Sequence, residues 1–301
     1  MNAVPALAVL IDRVAGEPPA RLHPVVWMGH YCTWAANRAG SSTSRTRQLT
    51  AGGTAVAVGA VAAGLLAVAL QRVLARLPRP VGLAAEAAAL STLLSSRMLE
   101  REVLQVAAAV DEDLGSARRA LAGLVSRDVA GLDHIQVREA ALESLAENAS
   151  DAIVAPLWWY TVAGLPGAAV HRFVNTADAM WGYRTATWEW RGKVAARVDD
   201  LANWWPARLT AVLLAPCAGI TRTARAAEAT ASPNAGWPMS ALALRLGVRL
   251  RKPGAYTLHA AGRPVGVGDV APAIRAVRIA TARATIAAAL TAKPRPRVAK
   301  R

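Results

Sequence analysis

From position 48 to position 71 the chain carries no charged residue, and this run constrains the fold more than any motif does. As an α-helix it would extend about 36 Å, against roughly 30 Å for the hydrocarbon core of a bilayer. A helix buried in a soluble core has no need of that length without a charge, so the run reads as a membrane span. Arginines stand at both ends, Arg45 and Arg47 before it and Arg72, Arg76 and Arg79 after it. A positive-inside count therefore leaves its direction open.

Composition agrees with that reading: 54% of the 301 residues are hydrophobic and only 18% charged, outside the usual balance of soluble domains. Three more stretches invite the same interpretation, near 80–96, 152–170 and 203–221, and an Ala-rich segment near 274–290 is interrupted by Arg275, Arg278 and Arg283, as in an interfacial helix. The run 152–170 carries Trp158, Trp159 and Tyr160 and would cover about 28 Å as a helix. Between the spans, region 98–150 is amphipathic. Leu99, Val103, Val106, Val110, Leu114, Ala117, Leu121 and Leu124 recur at helical steps, with a break expected near Gly115 and a kink at Pro156. The expectation is an all-α, multi-pass integral membrane protein, residues 1–301 forming a single membrane-embedded helical domain. A soluble Ala-rich bundle is the alternative. The first residues lack the basic start of a secretory signal, and Asp12 soon follows, so insertion would rely on the internal spans.

The formal charge of +15 is spread through the segments beside the spans. Diffuse basicity suits an anionic membrane surface or phosphorylated ligands. No helix-turn-helix, zinc finger or RNP pattern is present, which argues against nucleic acid as a partner. Cys32 and Cys217 are far apart and read as buried structural thiols. His23 and His30, seven apart after a Gly/Pro-rich turn, lack the third residue that a metal site needs.

Polar residues return in clusters beside the apolar runs: "ESLAENASD", "RFVNTADAMWGYR", "AARVDDLANWWPAR" and "SPNAGWP". In the first, Glu143, Glu147 and Asp151 share one helix face at i, i+4 spacing with no Lys or Arg between them. Their repulsion needs a partner, whether a divalent cation, arginines from elsewhere, or water. Glu147, Asp151 and Asp178 are hard oxygen donors suited to Mg²⁺, with Asp199, Asp200 and Asn203 as a further set. The structural alternative pairs these acids with Arg172, Arg184, Arg197 and Arg208. No P-loop, nucleophile elbow, H-E-x-x-H or Rossmann glycine pattern occurs. Residue chemistry thus reaches a membrane-embedded, Mg²⁺-dependent enzyme for phosphorylated or anionic substrates.

Five stretches carry a resemblance: "LIDRVAGEPPARLHPVVWMGH", "ESLAENASDAIVAPLWWYTVAGLPGA", "VNTADAMWGYR", "AARVDDLANWWPARLTA" and "SPNAGWPMSALALRLGVRL". In this order the chain resembles the CobD/CbiB family of cobalamin biosynthesis proteins, the adenosylcobinamide-phosphate synthases. The resemblance implies a multi-pass protein of the cell membrane. Its reaction would be a carbon–nitrogen ligation, dependent on ATP, between adenosylcobyric acid and aminopropanol phosphate. Membrane lipid and other cobalamin-assembly enzymes are the further partners implied. For that chemistry Glu147, Asp151 and Asp178 would hold Mg²⁺, and together with Asp199 and Asp200 form the catalytic set. Arg184, Arg197 and Arg208 would bind phosphate. Asn148, Asn175, Asn203 and Asn234 would hydrogen-bond the corrinoid rim or phosphate oxygens. His171 reads as structural, with a role as base the lesser alternative. Two rival functions stand beside this one: a Mg²⁺-dependent membrane transferase using a phosphorylated lipid or prenyl donor, and a non-catalytic corrinoid transport or assembly subunit.

Overall fold

The computed structural model describes residues 1–38, 44–215 and 219–292, so Cys217 lies outside the described residues. Within them the chain is helical almost throughout. The elements are α1 (Val4–Ala15), α2 (Pro24–Arg38), α3 (Arg45–Ala75), α4 (Arg79–Ser91), α5 (Ser96–Glu112), α6 (Leu114–Leu121) and α7 (His134–Ala149). A single π-turn (Ser150–Val154) leads into α8 (Ala155–Trp181), followed by α9 (Lys193–Ala202), α10 (Trp204–Leu214), α11 (Ile220–Ala227) and α12 (Gly236–Leu246). A small antiparallel hairpin, β1 (Leu250–Lys252) and β2 (Tyr256–Leu258), precedes α13 (Val270–Thr291).

Among the described residues two helical stretches are long and apolar enough to cross a membrane: α3, with a mean hydropathy of 2.2, and the run His134–Trp181, with 1.3. Only 17% of the apolar window of α3 is buried within the protein. Val58, Val61, Leu65 and Leu66 on this helix are all exposed, as a lipid-facing surface would be. The uncharged part of the second stretch is 152–170.

Elsewhere helix lengths differ from the sequence expectation. Segment 80–96 is divided between α4, which ends at Ser91, and α5, which starts at Ser96. Segment 203–221 contains α10, only 11 residues long, and the beginning of α11. The break expected near Gly115 falls at Asp113, whose carboxylate accepts the Ser116 N–H at 2.6 Å and so starts α6. Pro156 does not kink α8. The π-turn immediately before it widens the helix and gives its ring room against the carbonyl four residues back. The interruption comes instead at Ala163 and Gly164, just ahead of Pro166, where Gly164 takes a positive φ of 68°.

The chain divides into two compact units. Unit 1 contains Met1–Ser95, Ala155–Ala202 and the described residues from Thr285; unit 2 contains Ser96–Val154 and Asn203–Ala284. In unit 1 α3 and α8 approach closely because small residues let them. A Cβ at Gly59 would overlap the Phe173 ring of α8, and one at Gly52 would overlap the Arg191 carbonyl in the segment before α9. Around this seam Cys32, Val56, Phe173, Val174, Ala177 and Trp181 form a core. Burial pushes the Cys32 thiol up to about 11, the behaviour of an inert structural cysteine. In unit 2 Val106, Val110, Ala117, Leu121, Val137 and Ala140 interlock, so the amphipathic stripe read from 98–126 does face a core.

Candidate functional site

Helix α7 starts on a reciprocal cap. The Asp133 carboxylate accepts the Gln136 N–H at 2.8 Å, and the Gln136 side chain accepts the Asp133 N–H at 2.9 Å. That fixes the face on which Glu139, Glu143 and Glu147 project one turn apart. Glu139, wholly buried, accepts Arg251 Nε at 3.1 Å. Glu143 accepts Arg127 Nη2 at 2.7 Å. Arginines from elsewhere in unit 2 are therefore part of the answer to the acidic stripe, Arg251 pairing with Glu139 and Arg127 with Glu143.

Glu147 faces a small cavity of about 140 Å³ that also presents Arg127, Glu143, Asn148, Lys252 and Tyr256. Asn148 Nδ2 donates to the Ser144 carbonyl at 3.0 Å and to its Oγ at 3.1 Å, and Ser144 Oγ donates to the Leu124 carbonyl at 3.1 Å. Burial, and then the negative charges of Glu143 and Glu147, push the Tyr256 phenol far above its ordinary range. It is therefore a standing hydrogen-bond donor at any physiological pH. Asp151 follows in the π-turn, a distortion often found at functional positions.

Unit 1 holds a second polar cluster. His23 Nε2 lies 3.2 Å from Glu17 Oε2, while the Val25 N–H donates to His23 Nδ1 at 3.2 Å. The imidazole proton therefore sits on Nε2 and points to the carboxylate. Burial pushes the Glu17 carboxyl upward, but hydrogen bonds from His23 and Ser95 and the charge of Arg172 outweigh it and hold the group below its usual range. Arg172 in turn donates to Ser95 Oγ at 3.2 Å and to Asn175 Oδ1 at 3.3 Å, and Asn175 Nδ2 donates to Asp199 Oδ1 at 3.4 Å. Asp178 and Asp200 repel each other. The Asp200 carboxyl is pushed upward by burial, which outweighs the attraction of Arg197 and Arg184. Arg197 Nη1 is 3.8 Å from Asp200 Oδ2, and both Arg184 and Arg197 are exposed.

Arg208 is committed elsewhere. Its guanidinium lies 4.0 Å from the centroid of Trp204 and 4.7 Å from that of Trp237, and donates to Asn234 Oδ1 at 3.1 Å and to the Trp204 carbonyl at 2.7 Å. Arg208 and Asn234 thus recognise each other within unit 2. Asn203, buried, stands just before α10. His171 is also buried, on α8.

Of the residues expected from the sequence, Glu147, Asn148, Asp151, Asn203, Arg208 and Asn234 belong to unit 2. Asn175, Asp178, Arg184, Arg197, Asp199 and Asp200 belong to unit 1. Among the described residues no group of three or more His, Cys, Asp or Glu side chains is set to hold a metal ion. Mg²⁺ asks for less, since it commonly takes one or two carboxylates and fills its remaining positions with water and phosphate oxygens. The mutually repelling Asp178 and Asp200 fit that demand. Sequence reasoning passed over Glu17, Ser95, Arg127, Lys252 and Tyr256. Only Lys252 and Tyr256 carried a local signal, flanking the turn "KPGA", where Gly254 takes a positive φ of 74°.

Fold and clusters together define a class: an α-helical protein with helices long and apolar enough to cross a membrane, and with guanidinium, ammonium and carboxylate groups gathered in small clusters. The chain matches the family described as CobD/Cbib protein over residues 5–286. It is 40% identical over 261 residues to the probable cobalamin biosynthesis protein CobD of Methanothermobacter thermautotrophicus, covering 84% of each chain. Over 267 residues it is 39% identical to the cobalamin biosynthesis protein CobD of Brucella suis, covering 83% of this chain and 82% of that one. The probable CobD of Pyrococcus abyssi is 40% identical over 251 residues, 83% of each chain. No solved structure matches it. The protein belongs to the CobD/Cbib family.

Proposed function

We propose that this protein forms an amide bond in cobalamin biosynthesis, joining the propionate carboxylate of adenosylcobyric acid to the amine of aminopropanol phosphate, with ATP and Mg²⁺, to give adenosylcobinamide phosphate. The observation that carries the reading is the family match over residues 5–286, with CobD relatives at 39–40% identity along most of the chain. We read α3 and the uncharged run 152–170 as spans of a multi-pass protein of the cell membrane, supported by their length and mean hydropathy.

A carboxylate resists attack by an amine. Transfer of the γ-phosphoryl group of ATP to a carboxylate oxygen, with ADP departing, makes that oxygen part of a leaving group. The deprotonated amine then attacks the carbonyl carbon and a C–N bond forms. Phosphate leaves with the electrons of the C–O bond, and the amine proton passes to a base. Mg²⁺ supplies charge neutralisation on the transferred phosphates. Asp178 and Asp200, both in unit 1, would hold it, because a divalent cation relieves their repulsion. The exposure of Arg184 and Arg197 supports a phosphate-binding role for their guanidinium forks. Arg208 drops out of that role, since Trp204, Trp237 and Asn234 already engage it.

The test is direct. Membranes containing the protein are incubated with adenosylcobyric acid, aminopropanol phosphate, ATP and Mg²⁺, and the amide product is sought by mass, with ATP or Mg²⁺ omitted in parallel. Product that requires both is the expected result. Absence of amide under every nucleotide condition overturns the ligase reading.

A further inference from the structure

Unit 1 contains a groove of about 460 Å³, bounded by α2 and the turn before it, α3, the segment 89–93 and α8. Its wall on α3 is a single stripe, Gly59, Ala62, Ala63, Leu66, Ala67 and Leu70, recurring at three- and four-residue steps. Leu165, Ala169 and Phe173 form the facing stripe on α8. The small residues among them leave the space open.

The walls offer no side-chain donor to a ligand. Tyr31 OH donates to the Ala55 carbonyl at 2.9 Å, Trp27 Nε1 to the Arg21 carbonyl at 3.0 Å, and Thr92 Oγ1 to the Ala89 carbonyl at 2.8 Å. A polar molecule entering the groove would lose its hydrogen bonds to water and find none in return. That argues against the amide-rich rim of a corrinoid and against a nucleotide, and in favour of hydrocarbon.

Depth and opening point to the source of that hydrocarbon. From Gly59 to Leu70 the stripe advances about 16 Å along α3, close to half of the roughly 30 Å hydrocarbon core of a bilayer. Gly59 stands at the middle of the charge-free run 48–71, and Leu70 near its end. The groove is therefore as deep as one leaflet. At about 460 Å³ it takes on the order of fifteen groups the size of a water, roughly 30 Å³ each, which suits one hydrocarbon chain. Its floor is buried at Ala67, Leu93, Leu165 and Phe173, while Leu22, Trp27 and Leu66 at the rim are exposed. Through Ala62 and Leu66 the rim continues onto the exposed apolar face of Val58, Val61 and Leu65.

The outer end has the chemistry of a membrane interface. Tyr31 is bonded to Ala55, and Leu22 lines the same groove as Leu70, so α2 runs antiparallel to α3 and brings Leu22 to the Leu70 end. There the exposed Arg21 adjoins Leu22, and the Trp27 indole is bonded to the Arg21 carbonyl. Tryptophan and arginine are the residues that settle at headgroup level.

We propose that this groove binds one acyl chain of a membrane phospholipid, with the phosphate at the Arg21 end and the chain running inward to Phe173. The assignment rests on the reading of α3 as a membrane span, and takes its place in the fold from the groove's depth and apolar lining.

Membranes containing the full-length protein are supplied with phosphatidylglycerol carrying a diazirine midway along one acyl chain, then irradiated, and the labelled peptides are quantified by mass. Label concentrated on the groove stripes of α3 and α8 is the expected result. Ala62→Trp places an indole in the groove from its exposed rim, and should remove most of that label. Val58→Trp, on α3 but outside the groove, should leave it unchanged. Unfolding temperatures report that both variants are folded. Label spread evenly over the exposed residues of α3, or label unchanged in Ala62→Trp, overturns the site while the protein stays in the membrane. An unlabelled groove in a chain that crosslinks to itself, with the crosslink lost in Ala62→Trp, gives the groove to a second copy and likewise overturns the lipid. Release of the protein from membranes by alkaline carbonate instead removes the span reading, and the site with it.

Discussion

Arg127 and Glu143 meet at 2.7 Å with only 15% and 6% of their side chains exposed, across 16 residues of chain. Removing one member of such a pair strands the other charge away from water. Arg127→Met should cost about 3–5 kcal/mol of stability, read as a lowered unfolding temperature in detergent. The double variant Arg127→Met/Glu143→Leu should recover most of that loss. A single variant as stable as the parent would show that the pair contributes nothing.

The seam between α3 and α8 predicts a sharp contrast between neighbouring positions. Gly59 has no room for a methyl because of Phe173, whereas Val58 is 53% exposed. Gly59→Val should lose about 1–3 kcal/mol or fail to accumulate, and Val58→Leu should accumulate normally in the membrane. Equal yields would contradict the close packing.

Asp269 supplies the pH dependence. Hydrogen bonds from Arg263 hold its carboxyl below the usual range, against the opposing effect of burial. The lowered group contributes stability that is present above its unfolded value near 3.9 and is lost as pH falls through the folded value. Because Arg263 is 56% exposed the contribution should be small, about 1 kcal/mol. Unfolding temperatures taken from pH 6 down to pH 3 should fall more steeply in the parent than in Asp269→Asn, which starts lower.

Arg208 tests a structural assignment. Lysine keeps the charge but loses the planar fork that stacks between Trp204 and Trp237. Arg208→Lys should lower stability by about 1–2 kcal/mol and reduce the amount of active protein without changing KM. A raised KM for aminopropanol phosphate at unchanged stability would return Arg208 to substrate binding.

Asp178→Asn and Asp200→Asn should each reduce turnover by about tenfold or more and raise the Mg²⁺ concentration needed for half-maximal rate. Parent-like Mg²⁺ curves in both variants would leave these acids with a structural role only.

Much of the fold was legible because burial follows periodicity. The charge-free run 48–71 lies within α3, and the stripe from Leu99 to Leu121 faces the core of unit 2. Element ends were less legible, because they depend on short-range geometry that hydropathy does not register. Asp113 starts α6 through one hydrogen bond, and a π-turn precedes Pro156 where a kink was expected. The acids of the candidate site were visible as a cluster, but their basic neighbours were not. Arg127 pairs with Glu143 from the loop before α7 and Arg251 with Glu139 from β1, and no periodicity in the sequence marks either as a partner. Asn234 and Arg208 stood out individually, yet only the fold shows that each is the other's ligand.

Gln71, the last residue of that charge-free run, donates its side-chain Nε2 to Glu86 Oε1 at 2.9 Å, and Tyr160 OH donates to the same oxygen at 3.0 Å. One buried carboxylate on α4 thereby gathers side chains from α3 and α8, so three helices of unit 1 are pinned at a single oxygen, and this polar knot sits where the charge-free run ends.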